Sequence, residues 1–221
     1  MQNSHNRKNA IKNACEACIS WDNDKKRIAC AILAGGENKR MGRHKAFLTC
    51  HGIKFIDIIG DNMKAFFDEV FIVSNDKSLF KEMPLAIFED IIPGKGPLGA
   101  LHTALTVSKK EYIFCVACDM PETYDSVIAE VICASKKQGF DCFVPRGEFG
   151  LEPLFAIYRK SMRGLIEKEI AVGQLCIFKI LEKCRTFYVD MAKHENELVN
   201  INTPQEYIDY ADKIEGMAFE K

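Results

Sequence analysis

Residues 33–45 read Leu-Ala-Gly-Gly-Glu-Asn-Lys-Arg-Met-Gly-Arg-His-Lys. They follow the apolar run Ile28 to Leu33, of the kind that forms a buried strand. Gly35 and Gly36 let the backbone turn sharply and approach a bulky anion, because no Cβ intervenes. Arg40, Arg43 and Lys45 lie just beyond. A strand, a glycine turn and clustered cations suit a nucleoside triphosphate. They also suit a plain β-to-α turn carrying solvated cations. The spacing matches neither common phosphate loop. Gly36 is followed five residues later by Met41, with no Lys-Ser/Thr pair, and the adjacent glycines break the G-x-G-x-x-G pattern.

Further polar groups stand behind other strand-like runs. Asn75 follows Phe71-Ile72-Val73, either offering a donor and an acceptor to a base or ribose or closing the strand as a turn residue. Asp90 opens a stretch with three glycines and two prolines before a helix, either a shaped loop or an ordinary helix start. Asp119 ends the run Tyr112–Ala117, where a carboxylate can hold Mg²⁺ or cap a helix. Asn200 and Asn202, two apart on an extended strand, would point to one side and hold a polar ligand. Their alternative is turn formation before the last helix. There Thr203, Pro204 and Glu206 spell an N-cap, a first-turn proline and a capping box.

The elements that must position these groups alternate. Strands are expected at 28–33, 69–74, 85–88, 112–117, 142–145, 154–158 and 186–190. Helices are expected at 55–67, 98–107, 124–138, 160–170, 174–183 and 204–214. This alternation predicts a layered α/β fold with a mainly parallel sheet, whose ligands sit at the carboxyl ends of the strands. Residues 1–27 read as a weakly structured extension with a short helix over 10–19, ahead of one domain spanning 28–221.

Bulk properties narrow the class. With 221 residues and 48% hydrophobic content the chain can build a large core, and its net charge of −1 gives no footprint for nucleic acid. No apolar run is long enough for a membrane span, and the polar N-terminus does not resemble a secretory signal, so a cytoplasmic protein is expected. Ten cysteines are scattered. Cys30, Cys115, Cys142 and Cys176 sit in apolar runs and read as small core residues. The Cys15/Cys18 and Cys115/Cys118 pairs would need to converge to hold a structural zinc.

Taken in order, six motifs resemble one family. Leu33-Ala34-Gly35-Gly36 with Arg40-Met41-Gly42 and Lys45, Asn75, Asp90 ahead of Gly96-Pro97-Leu98, Cys118-Asp119-Met120-Pro121, Glu152-Pro153, and Asn200-Ile201-Asn202-Thr203-Pro204 look like the MobA family of molybdenum cofactor guanylyltransferases. The resemblance spans about residues 28–214. It implies a three-layer, Rossmann-like nucleotidyltransferase fold with a mixed, mainly parallel sheet. It implies transfer of GMP from GTP to the phosphate of molybdopterin, with release of pyrophosphate and Mg²⁺ or Mn²⁺ as the cation. Leu33, Ala34, Gly35 and Gly36 would then hold the nucleotide by their backbone. Arg40 and Lys45 would neutralise the triphosphate, Asn75 and Asp90 would read ribose or base, and Asp119 would hold the metal. Asn200 and Asn202 would face the acceptor. Other molybdenum-cofactor proteins or recipient molybdoenzymes are the implied partners. Relatives that use CTP or sugar phosphates usually carry Ala-Ala-Gly at the first motif, so Gly36 favours guanine. The alternatives are such a CTP or sugar-phosphate enzyme, or a non-catalytic nucleotide or cofactor carrier. One departure stands out: His44 precedes Lys45 where the family usually has Asp. It reads as a surface residue, or as a replacement for whatever pairing that Asp makes.

Overall fold

The computed structural model describes residues 21–35, 44–122, 124–148, 150–194, 197–198 and 200–219. Gly36, Arg40, Met41, Gly42, Arg43, the Cys15/Cys18 pair and the helix expected over 10–19 lie outside these.

A short helix α1 (Trp21–Arg27) leads directly into β1 (Ile28–Leu33). The last residues of the stretch expected to be weakly structured are therefore helical. The reason is a buried anchor: Asp24 is 4% exposed, and its carboxylate is 3.0 Å from the Lys136 ammonium. After a small hairpin, β2 (Thr49–Cys50) and β3 (Ile53–Lys54), come α2 (Phe55–Phe66), β4 (Val70–Val73) and β5 (Ala86–Phe88). Then follow α3 (Gly96–Val107), β6 (Tyr112–Ala117), α4 (Asp125–Ala134) and β7 (Cys142–Gly147). The chain continues with β8 (Gly150–Leu151), β9 (Phe155–Arg159), α5 (Arg163–Ala171), α6 (Ile177–Leu181), β10 (Thr186–Asp190) and α7 (Pro204–Phe219).

The main sheet runs β10-β7-β9-β6-β1-β4-β5, with β8 paired to β7. Strands β1, β4, β5 and β6 are mutually parallel, and β7 pairs parallel with β10. β9 is antiparallel to both β6 and β7, so the sheet is mixed. The short link from β7 through β8 to β9 cannot make a parallel crossover, which needs a dozen or more residues. Strands of two residues, such as β2, β3 and β8, carry no periodicity, and so they escaped the sequence reading.

β1 is buried on both faces, as a central parallel strand must be. Cys30 and Ile32 face a core that includes Ile59 and Met63 of α2 and Ile128 and Val131 of α4. Ala29, Ala31 and Leu33 face Leu101 and Ala104 of α3, together with Ile166 of α5 and Ile180 of α6. The result is three layers. Phe114 on β6 is fully buried, its ring centroid 5.3 Å from that of Phe67 and 4.9 Å from that of Phe155. Phe114→Ala should cost about 3–5 kcal/mol of stability, read as a lowered denaturant midpoint at unchanged slope. Cys30, Cys115 and Cys142 are buried as expected, but Cys176 is exposed. It precedes a helix of only five residues, too short to carry the expected apolar face over 174–183.

Registers bring the strand ends level. Leu33 pairs with both Val73 and Ala117, and Val73 pairs with Phe88. The loops after β1, β4, β5 and β6 therefore leave the sheet along one edge. The chain passes from β1 to β4 and β5 on one side and places β6 on the other. The crevice above β1 and β6 is thus the topological switch point.

Candidate active site

A cavity of about 210 Å³ opens in that crevice. Its walls include Leu33, Ala34 and Gly35 after β1, His44 and Lys45, Pro97 and Ala100 at the start of α3, Cys118 and Asp119 after β6, and Leu154. Backbone bonds fix the walls by continuing the ladder past the strands. Ala34 N–H donates to the Val73 carbonyl at 2.8 Å, and Cys118 N–H to the Leu33 carbonyl at 3.1 Å.

Lys45 begins a 3-10 turn, Lys45–Phe47. Its ammonium donates to Asp119 Oδ2 at 2.8 Å and to Asn202 Oδ1 at 2.7 Å. Three distant segments thus meet on one cation. The Asp119 backbone carbonyl in turn accepts from the Ile201 N–H at 2.9 Å. Ile201 is fully buried beside Leu48, Phe55 and Tyr210. Residues 200–202 do not form the extended strand expected of them, since their one backbone tie to the sheet region is through Ile201. Both asparagines, on either side of buried Ile201, nevertheless find side-chain partners, though not the same one. Asn200 donates to Glu152 Oε2 at 3.1 Å, and Asn202 meets Lys45. The capping box forms as expected: Thr203 Oγ1 accepts from Glu206 N–H at 3.2 Å, and Glu206 accepts from Thr203 N–H at 2.9 Å.

Glu152 was not singled out from the sequence as a site residue, although it stands in a quoted motif. Burial raises its pKa above the usual carboxylate value. The Asn200 amide opposes that shift, and the nearby Asp119 charge adds to it. Asp119 and Asn202 thus hold the Lys45 cation, while Glu152 takes the Asn200 amide and lies near enough to feel the Asp119 charge.

Asn75 and Asp90 do not line the cavity. They form a second group beside Gly35, joined by a hydrogen bond between the Asn75 amide and the Asp90 carboxylate. A Cβ on Gly35 would sit 3.5 Å from the Asn75 amide nitrogen. Asp90 is 8% exposed. Its pKa is raised by burial, against the opposing influence of the Asn75 amide and the His102 ring. Gly99 in α3 makes room for this loop, because a Cβ there would lie 3.0 Å from the Ile92 carbonyl oxygen.

His44 is not a surface residue. Its ring packs edge-on against Phe47 and Phe80, at 5.4 and 5.7 Å between centroids, and engages the Ala34 backbone. Burial lowers its pKa below 6.5, so it is neutral at pH 7 and can pack between aromatic rings, which an ionised Asp could not do cheaply. Burial raises the Cys115 and Cys118 thiols, Cys118 to about 12, and the Cys15/Cys18 pair they would have to meet lies outside the described residues. Among the described residues no cluster of three or more His, Cys, Asp or Glu could hold a metal ion. Nor is any described helix long and apolar enough to cross a membrane.

Known proteins share this sequence pattern and fold. The family described as "MobA-like NTP transferase domain" matches residues 30–184. A "Probable molybdenum cofactor guanylyltransferase" of Clostridium perfringens is 36% identical over 197 residues, covering 84% of this chain and 96% of that protein. The "Molybdenum cofactor guanylyltransferase" of Syntrophotalea carbinolica is 30% identical over 195 residues, covering 85% and 92%. Among solved structures, the molybdopterin-guanine dinucleotide biosynthesis protein A of Archaeoglobus fulgidus superposes with a TM-score of 0.75 at 25% identity, covering 85% of this chain and 99% of that one. Sequence and fold thus agree over the segment that carries Lys45, Asn75, Asp90, Asp119 and Glu152: the chain belongs to the MobA-like family of nucleotidyltransferases.

Proposed function

We propose that this protein transfers GMP from GTP to the terminal phosphate of molybdopterin, releasing pyrophosphate. The observation that carries this reading is the meeting of Lys45, Asp119 and Asn202 at the mouth of the β1–β6 crevice. It is supported by relatives named for that activity over nearly their whole length.

The acceptor nucleophile is a phosphate oxygen, already anionic near pH 7, so no general base is required. Catalysis then rests on alignment and charge neutralisation. Leu33, Ala34 and Gly35, with Gly36 beyond the described span, supply backbone groups to the nucleotide. Lys45, with Arg40 from the adjoining segment, neutralises the triphosphate and the departing pyrophosphate. Asn202 orients the Lys45 ammonium. Asn75 and Asp90, beside Gly35, would read ribose or base. A carboxylate there can accept from guanine N1–H and the N2 amino group together. Asn200 and Asn202 face the acceptor side.

The donor set also suits a divalent cation. Mg²⁺ prefers oxygen ligands and takes only one or two protein carboxylates, completing its shell with water and phosphates. Asp119 would hold it, with Glu152 close by, and Mn²⁺ could replace it. Bound there, the cation would supply charge neutralisation at the phosphate oxygens.

The test is pyrophosphate release from each NTP in the presence of Mg²⁺ and molybdopterin. Release with GTP, and far less with ATP or CTP, is expected. Activity with CTP alone would overturn the choice of base. GTP binding without turnover would replace the enzyme with a carrier.

A further inference from the structure

Residues 191–203 link β10 to α7 and carry Asn200 and Asn202 to the crevice. The backbone of this link is tied to its surroundings at Met191, whose N–H donates to the Arg146 carbonyl at 3.1 Å, and at Ile201. Between those ties, two side chains fasten it to α4. His194 Nε2 lies 2.8 Å from Glu130 Oε2, and His194 Nδ1 lies 2.9 Å from Glu197 Oε2. Ser126 Oγ donates to the same Glu197 oxygen at 2.8 Å. Two turns hold His194 and Glu197 in place. His194 N–H donates to the Met191 carbonyl at 2.7 Å, and Glu197 N–H to the His194 carbonyl at 2.9 Å.

The imidazole is 13% exposed and reaches a carboxylate with each of its nitrogens. A neutral ring donates to one of them, and a ring carrying a proton on both nitrogens donates to both. In either form the link stays bonded to α4, through Glu130, through Ser126 or through both. Bonds of this kind, with an ionised acceptor, are stronger than neutral ones. His194, Glu130 and Glu197 are absent from the walls of the crevice, so the clasp does not touch the nucleotide cavity itself.

What the clasp does follows from where it sits. α4 opens after β6, at the carboxyl edge of the sheet where the crevice lies. Glu197 fastens the link just ahead of Asn200. Asn202 is held from the other side: its N–H donates to Glu206 Oε2 at 2.6 Å at the cap of α7, and Ile201 before it is buried. Asn200 stands between these two anchors and donates to Glu152 Oε2.

We propose that His194, bridging Glu130 and Glu197, is a positioning residue that sets Asn200 against Glu152 and so shapes the acceptor side of the site. The identity of the acceptor rests on the guanylyl-transfer reading, whereas the clasp is tested in the ligand-free protein.

The effect should fall on acceptor binding. Glu130→Ala removes the α4 partner of the ring from a side chain that is 42% exposed, so the fold should survive. KM for molybdopterin should rise roughly three- to tenfold, the worth of one hydrogen bond, while KM for GTP and kcat stay near wild type. His194→Ala loses both ring contacts and should show at least that rise. Glu130→Gln presents an amide that can accept from a ring N–H or donate to a bare ring nitrogen, so it should recover most of the wild-type value.

The experiment measures kcat and both KM values by pyrophosphate release in wild type and the three variants. It also follows the Asn200 side-chain amide by ¹H–¹⁵N NMR in the ligand-free proteins, assigned with Asn200→Asp. A raised acceptor KM and a displaced Asn200 amide in Glu130→Ala, both reversed in Glu130→Gln, support the proposal. An Asn200 amide unmoved in Glu130→Ala and His194→Ala, or a loss that falls on kcat with both KM values unchanged, overturns it. A wild type inactive with molybdopterin refutes the guanylyl-transfer reading, and the Asn200 amide then still decides the clasp.

Discussion

Lys45→Ala lowers the rate of nucleotidyl transfer by roughly two to three orders of magnitude, the loss expected when a charge-stabilising donor is removed from a preorganised site. The expectation follows from position. The Lys45 ammonium is the cation that the described crevice holds between Asp119 and Asn202, and the reaction builds negative charge on the leaving pyrophosphate. Loss of the cation also leaves Asp119 and Glu152 facing each other without compensation, and Glu152 already feels the Asp119 charge. The side chain is 20% exposed and lies outside the aliphatic core, so the fold should survive. The assay is single-turnover pyrophosphate release at saturating GTP, with the thermal midpoint as a control for folding. Lys45→Arg keeps the charge but not the compact, point-like ammonium, and should recover only part of the rate. Near-wild-type turnover in Lys45→Ala would remove Lys45 from the mechanism.

Asp119→Ala carries the second large effect, again roughly two to three orders of magnitude. The structural contribution of this residue is separable from its side chain. The bond that ties residues 200–202 to the β6 loop runs from Ile201 N–H to the Asp119 backbone carbonyl, which alanine retains. What is lost is the carboxylate that orients Lys45 and is assigned to the cation. Asp119→Asn preserves the shape and an acceptor for Lys45 while removing the charge. If Asp119 acts through the cation, Asp119→Asn should be nearly as slow as the alanine variant, and raising Mn²⁺ should restore part of its rate. If it acts only by orienting Lys45, Asp119→Asn should approach wild type. The double variant Lys45→Ala, Asp119→Ala should fall well short of the product of the single losses, because one unit has been removed twice.

The chemistry-bearing residues were largely legible from sequence because most of them follow apolar strand runs. The run Ile28–Leu33 announces a buried strand, and so the loop after it, with Gly35 and Lys45, had to emerge at a sheet edge. The same reasoning placed Asn75 behind β4, Asp90 behind β5 and Asp119 behind β6. Local codes also held: Thr203, Pro204 and Glu206 form the cap they spell, since capping depends on residues three apart and on nothing distant. Two-residue strands and the shortened helix Ile177–Leu181 were not legible, because neither is long enough to show a period.

What the amino-acid order determined by itself was the alternation of strands and helices, the layered α/β class, and the set of polar groups held at strand ends. Periodicity and capping are local, so they survive in a one-dimensional reading. What only the tertiary structure decided was how those groups divide. Lys45, Asp119 and Asn202 meet across 74 and 157 residues of chain, whereas exposed Asn75 and buried Asp90 form a separate group beside Gly35. It also moved His44 from an assumed surface position into an aromatic cage, and it brought Glu152 to Asn200 and His102 to Glu167. These pairings depend on strand order and on which face of each helix meets the sheet. Contacts of that range leave no trace in the spacing of residues along the chain.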